Sequence, residues 1–161
     1  MTTQKINTGL LAVIACVIVF TAASIGNLAT MPSIPTWYAT LNKPFFNPPN
    51  WIFGPVWTVL FILLAISFWR ILKTSPDHPH RKQALIAFSV QMILNPLWSI
   101  VFFYLHSPRA AVLIVILLEL SVLAMIQAFA RVDRIASRIQ WPYAAWVAFA
   151  TLLNCAIALL N

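Results

Sequence analysis

Three patterns in this chain place aromatic rings and amides where they could line a pocket. Asn95, Trp98, Ser99 and Phe102 stand at i, i+3, i+4 and i+7, so a helix presents all four on one face. Tyr143, Trp146, Ala150 and Asn154 form a second stripe, in which Ala150 leaves room beside the large rings. Trp57 and Phe61, four apart, form a third. The chemistry of such a set is binding: rings supply apolar walls and amides supply a few fixed polar contacts. Aromatics also gather at membrane interfaces and amides tie helix to helix, which accounts for any one of these residues alone. Taken together they point to a pocket, because Trp57 and Trp146 fall within apolar runs.

Bond-making chemistry has little support. There is no Ser/His/Asp set, no pair of carboxylates and no glycine-rich phosphate loop, with only three acids and three glycines in the chain. No catalytic residue and no metal ligand is assigned. Cys16 and Cys155 lie in apolar runs and read as small buried residues. His78 and His80 share a short polar loop that reads as solvated, and His106 stands alone at a helix end. Glu119 is the sole acid inside an apolar run. It reads as a functional group, as a neutral acid bonded to Gln91 or Ser121, or as part of a subunit contact. Asp133, between Arg131 and Arg134, suggests a local surface pair.

The elements that position these residues follow from composition. The 161 residues are 61% hydrophobic and only 8% charged, against about 25% charged in soluble domains. So few charges cannot cover a water-facing surface, and lipid must be the solvent. The net charge of +7 sits at the ends of apolar runs rather than on a basic stripe, which argues against nucleic acid and for membrane lipid as partner. Five runs are long enough to span a bilayer as helices, at about residues 7–29, 51–72, 83–105, 108–130 and 141–160. They are too long and too unbroken for barrel strands. Lys5 and Ala22-Ala23 give the first run the outline of a signal peptide, but its apolar core exceeds the usual length.

The fold class is therefore all-α, a single membrane domain over residues 1–161 built as a five-helix bundle. Lys5, Arg70, Lys73, Arg81, Lys82, Arg131, Arg134 and Arg138 fall on one side, and Lys43 and Arg109 on the other. That asymmetry predicts a cytoplasmic N-terminus and an outward C-terminus, in a bacterial membrane. Only the first loop is long, about residues 30–50, and its prolines and aromatics suggest an outward lid whose opening admits ligand. Pro55 is expected close to the start of the second span.

Three motifs then stand out in order: WYATLNKPFFNPPNWIFGPVW at 37–57, NPLWSIVFF at 95–103 and PYAAWVAFATLLN at 142–154. They resemble the TspO/MBR family of tryptophan-rich sensory and translocator proteins, across nearly the whole chain. The resemblance implies a membrane receptor or sensor for porphyrins such as protoporphyrin IX. Ligands of the isoquinoline or benzodiazepine type are implied as well, and no cofactor is required. Transport of such ligands, or their degradation in light and oxygen, are the alternatives. It also implies a pocket lined by Tyr38, Pro48, Phe53, Trp57, Phe61, Asn95, Trp98, Ser99, Trp146 and Ala150, with ligand carboxylates meeting Lys43 or backbone donors. A homodimer is implied loosely, with Ala22-x3-Gly26 as a close-packing pair. The sterol pattern of some members is missing, since no basic residue follows Tyr143.

Overall fold

A computed structural model describes residues 7–161; Lys5, counted above for orientation, lies outside the described residues. Five helices are long and apolar enough to cross a membrane, and no strand occurs among the described residues. The first, α1 (Thr8–Thr30), starts at Asn7, whose side chain accepts hydrogen bonds from the N–H groups of Gly9 (3.1 Å) and Leu10 (3.3 Å). One helical turn, α2 (Trp37–Thr40), forms within the lid, ahead of its run of prolines at Pro44, Pro48 and Pro49. The second span, α3 (Asn50–Lys73), ends on Arg70 and Lys73, cations that suit the negative end of a helix. Pro55 lies inside α3, past the first turn, so Trp51 loses a helical partner for its carbonyl.

The third span combines α4 (Arg81–Ser99) with a π-helical turn at Ile100–Tyr104. Pro96 interrupts its hydrogen-bond ladder one turn earlier, and π-turns favour such irregular, functional places. The turn closes at His106, which has a positive φ of 50°. The fourth span, α5 (Pro108–Ala130), begins on a proline, where no N–H is needed. A short α6 (Arg134–Arg138) follows, capped by Asp133, and then the last span, α7 (Trp141–Leu160).

In space α1 packs on α3 and α4, α4 on α5, and α5 on α7. Between α3 and α7 the contact is made by rings, with Phe53 against Trp146 at 5.9 Å and Trp57 against Tyr143 at 6.2 Å. Away from the lid the bundle is filled. Phe68 and Phe88 stack at 3.7 Å, Phe129 joins Phe88 at 6.5 Å, and all three are buried. Around them Gln140 donates to Ser67 Oγ (2.6 Å) and to the Leu63 carbonyl (3.0 Å), while Ser67 donates to the Ala136 carbonyl (3.0 Å). Asp133 does not pair with its sequence neighbours. It accepts from Arg70 of α3 at 2.8 Å, because capping α6 turns its carboxylate toward that helix. Cys16 departs from expectation too: it is exposed on the outer face of α1, and Cys155 is half-buried.

Candidate functional site

The lid end of the bundle is hollow. A cavity of about 440 Å³ lies between α1, α3, α4 and α7, beneath the lid. Nine of the ten expected residues line it: Tyr38 from α2; Phe53, Trp57 and Phe61 from α3; Asn95, Trp98 and Ser99 from α4; Trp146 and Ala150 from α7. Helical spacing explains their convergence, since residues three or four apart share a face. Small side chains at Ala150 and Gly54 leave the volume that the tryptophans enclose.

Pro48 is the exception and does not line the cavity. Its carbonyl accepts from Asn47 Nδ2 at 3.1 Å, and Asn47 Oδ1 accepts from Tyr38 OH at 2.8 Å. Pro48 therefore braces the residue behind Tyr38 instead of touching the interior. Burial pushes the Tyr38 phenol up to about 12, so it stays a neutral donor at any physiological pH.

Two walls are held by hydrogen bonds. Trp98 Nε1 donates to Asn154 Oδ1 at 3.0 Å, and Asn154 Nδ2 donates to the Pro108 carbonyl at 2.8 Å. Asn95 Nδ2 donates to Tyr143 OH at 3.0 Å, and that hydroxyl donates to Gln91 Oε1 at 3.0 Å. Trp57 lies nearly parallel to Phe61 at 5.3 Å, which fixes one flat face. Trp146 differs from these: its Nε1 is buried and makes no hydrogen bond. Its indole is thus a wall residue with a donor to spare.

None of the expected wall residues came from the first span, yet Ala23, Gly26, Asn27 and Thr30 complete the wall. The available signal was the small or polar residue at each step of three or four. A Cβ on Gly26 would stand 3.3 Å from Ser99 Oγ, so glycine permits the close approach of α1 to α4. That contact places Gly26 inside the bundle, and the proposed Ala22-x3-Gly26 dimer contact loses its glycine. The most exposed wall residues are Asn27 and Met31 at the end of α1, and Asn50, Trp51 and Gly54 at the start of α3. The mouth therefore opens sideways between α1 and α3.

The lid, by contrast, is fastened. Ser33 Oγ donates to the Phe103 carbonyl at 2.6 Å, and Trp37 stacks on His106 at 4.5 Å. Asn42 N–H donates to Asn161 Oδ1 at 3.0 Å, and Asn161 Nδ2 donates to the Asn42 carbonyl at 3.0 Å. Lys43 is part of this fastening. Its Nζ donates to the Leu41 carbonyl at 3.1 Å and sits 4.8 Å over the Tyr38 ring, and Lys43 itself does not line the cavity. Glu119 also lies off the wall. One of its oxygens is buried without a partner, Ser121 bonds to the Leu118 carbonyl instead, and Gln91 faces Tyr143. Among the described residues no group of three metal-ligating side chains occurs.

A helical, multi-pass membrane protein with a tryptophan-walled internal cavity is the class that this fold and site define. Residues 12–160 match the TspO/MBR family, and the chain belongs to it. It is 36% identical over 156 residues to the tryptophan-rich protein TspO of Chlorobaculum tepidum, covering 96% of this chain and 99% of that one. It is 41% identical over 136 residues to the protein of that name in Archaeoglobus fulgidus, covering 84% and 87%. The translocator protein of Homo sapiens is 31% identical over 119 residues, covering 73% and 70%.

Proposed function

We propose that this protein is a membrane receptor or sensor that binds porphyrins, protoporphyrin IX-like tetrapyrroles above all, in the cavity between its helices. The observation that supports this best is the wall itself: Trp57, Trp98 and Trp146 around about 440 Å³ of largely apolar space. That volume falls in the usual range for small-molecule sites, and indole faces suit a planar macrocycle. Isoquinoline or benzodiazepine-type ligands would use the same faces. A relative in Cereibacter sphaeroides is named a tryptophan-rich sensory protein, which agrees with a sensing role. The orientation that fits is N-terminus inward, since Arg70, Lys73, Arg81, Lys82, Arg131, Arg134 and Arg138 lie at the end away from the lid.

The test is quenching of tryptophan fluorescence by protoporphyrin IX. Trp57→Ala and Trp146→Ala should each weaken binding about tenfold, the equivalent of ~1.4 kcal/mol for a lost stacking face. Wild-type affinity in both variants would sink the assignment. The sideways mouth also favours carriage of ligand between bilayer and cavity. Flux in liposomes above the rate of lipid partitioning would establish that second role.

A further inference from the structure

Among the described residues the cavity wall contains no Lys, Arg, His, Asp or Glu. A ligand carboxylate drawn into it would lose its hydration and meet no opposite charge, a cost that ring stacking does not offset. An acidic ligand must therefore keep its carboxylate edge at the mouth. Among the described residues the mouth has no cation either: its exposed wall residues are Asn27, Met31, Asn50, Trp51 and Gly54. Lys43, the nearest basic residue in sequence, is bonded to lid carbonyls.

Two of the mouth residues are amides, and neither side chain makes a hydrogen bond among the described residues. The amide nitrogens of Asn95 and Asn154, deeper in, are already bonded to Tyr143 and Pro108. Asn27 is on the last turns of α1 and Asn50 opens α3, so they flank the opening from its two sides. Each offers an NH₂ with two donors, which a carboxylate accepts without an ion pair.

We propose that Asn27 and Asn50 form an uncharged docking point for the carboxylate edge of an amphipathic planar ligand. The site then selects molecules that are flat and apolar along one side and acidic along the other. It holds them with the apolar ring against Trp57 and Trp146 and the acid at the mouth. This rests on the porphyrin assignment and adds the polarity of the bound pose and the residues that set it.

The experiment titrates protoporphyrin IX and its dimethyl ester into full-length protein in phosphatidylcholine nanodiscs. Wild type, the double variant Asn27→Leu/Asn50→Leu, and Lys43→Met are compared. The double variant should bind the free acid at least tenfold more weakly and the ester less than threefold more weakly. Lys43→Met should match wild type, and wild-type affinity should change less than twofold between 50 and 500 mM salt, since no ion pair is screened. Retained ester binding shows that the double variant is folded. An equal loss for acid and ester, no loss for either, or a salt-sensitive affinity that Lys43→Met abolishes would overturn the proposal while leaving porphyrin binding intact. Failure of wild type to bind acid or ester would overturn the porphyrin assignment and this inference with it.

Discussion

The two ends of this bundle use the same residue types in opposite ways. At the end away from the lid, Phe68, Phe88 and Phe129 stack on one another and fill the interior. At the lid end, Trp57, Trp98 and Trp146 surround space instead. The difference lies in their neighbours. The filled end surrounds its rings with Leu64, Ile71 and Met125, all of them buried. The hollow end sets its tryptophans beside Gly26, Gly54 and Ala150, and ties Trp98 and Asn95 back by hydrogen bonds. A ring pinned by a hydrogen bond cannot collapse into the gap. One end thus holds the fold together, and the other gives up packing to keep an internal cavity.

Breaking the filled end should have the largest effect. Phe88→Ala removes a fully buried ring and should cost about 3–5 kcal/mol, seen as a large drop in the thermal midpoint in detergent. A small drop would mean that the stacked rings are not the anchor. Next comes the tie between α3 and α6. Burial alone would raise the Asp133 carboxyl. The N–H groups of Ala136 and Ile135 and the Arg70 guanidinium outweigh that and hold it below the usual range. Its stabilising effect is present above the ordinary carboxylate value of about 4 and fades as pH falls through the lowered native value. Asp133→Ala should cost about 1–2 kcal/mol at pH 7 through the lost pair and lost cap. It should also flatten the acid limb of a stability profile; an unchanged acid limb would show that the pair is inert.

At the hollow end the sign should reverse for one substitution. A Cβ at Gly54 meets no atom within 4 Å, so Gly54→Ala should stabilise by roughly 0.5–1 kcal/mol through helix propensity. A destabilised Gly54→Ala would mean that the mouth is tighter than its geometry indicates.

Much of this arrangement was legible in the sequence. The five spans follow from length and apolarity, which leave a lipid-embedded chain few choices. The stripes of Trp57/Phe61, Asn95/Trp98/Ser99 and Trp146/Ala150 were readable because helical spacing fixes which residues share a face. Three features were missed. Pro48 sits in irregular backbone, where no period says which way a side chain points, and it braces Asn47 instead of lining the wall. The α1 wall of Gly26, Asn27 and Thr30 was marked only by small or polar residues at steps of three or four, and glycine declares its role only through its neighbour, here Ser99. The partner of Asp133 was hidden because Arg70 is 63 residues away, and only the packing of α6 on α3 joins them.

The central claim is that the hollow is the binding site. Ala150 is a buried wall residue whose small side chain leaves that hollow open, so Ala150→Phe fills it from α7 without touching the stacked end. The most direct measurement is a protoporphyrin IX titration of this variant beside wild type, with helicity and thermal midpoint recorded in both. The account predicts at least a tenfold loss of affinity with the fold retained. Equal affinity in a folded Ala150→Phe protein would contradict it.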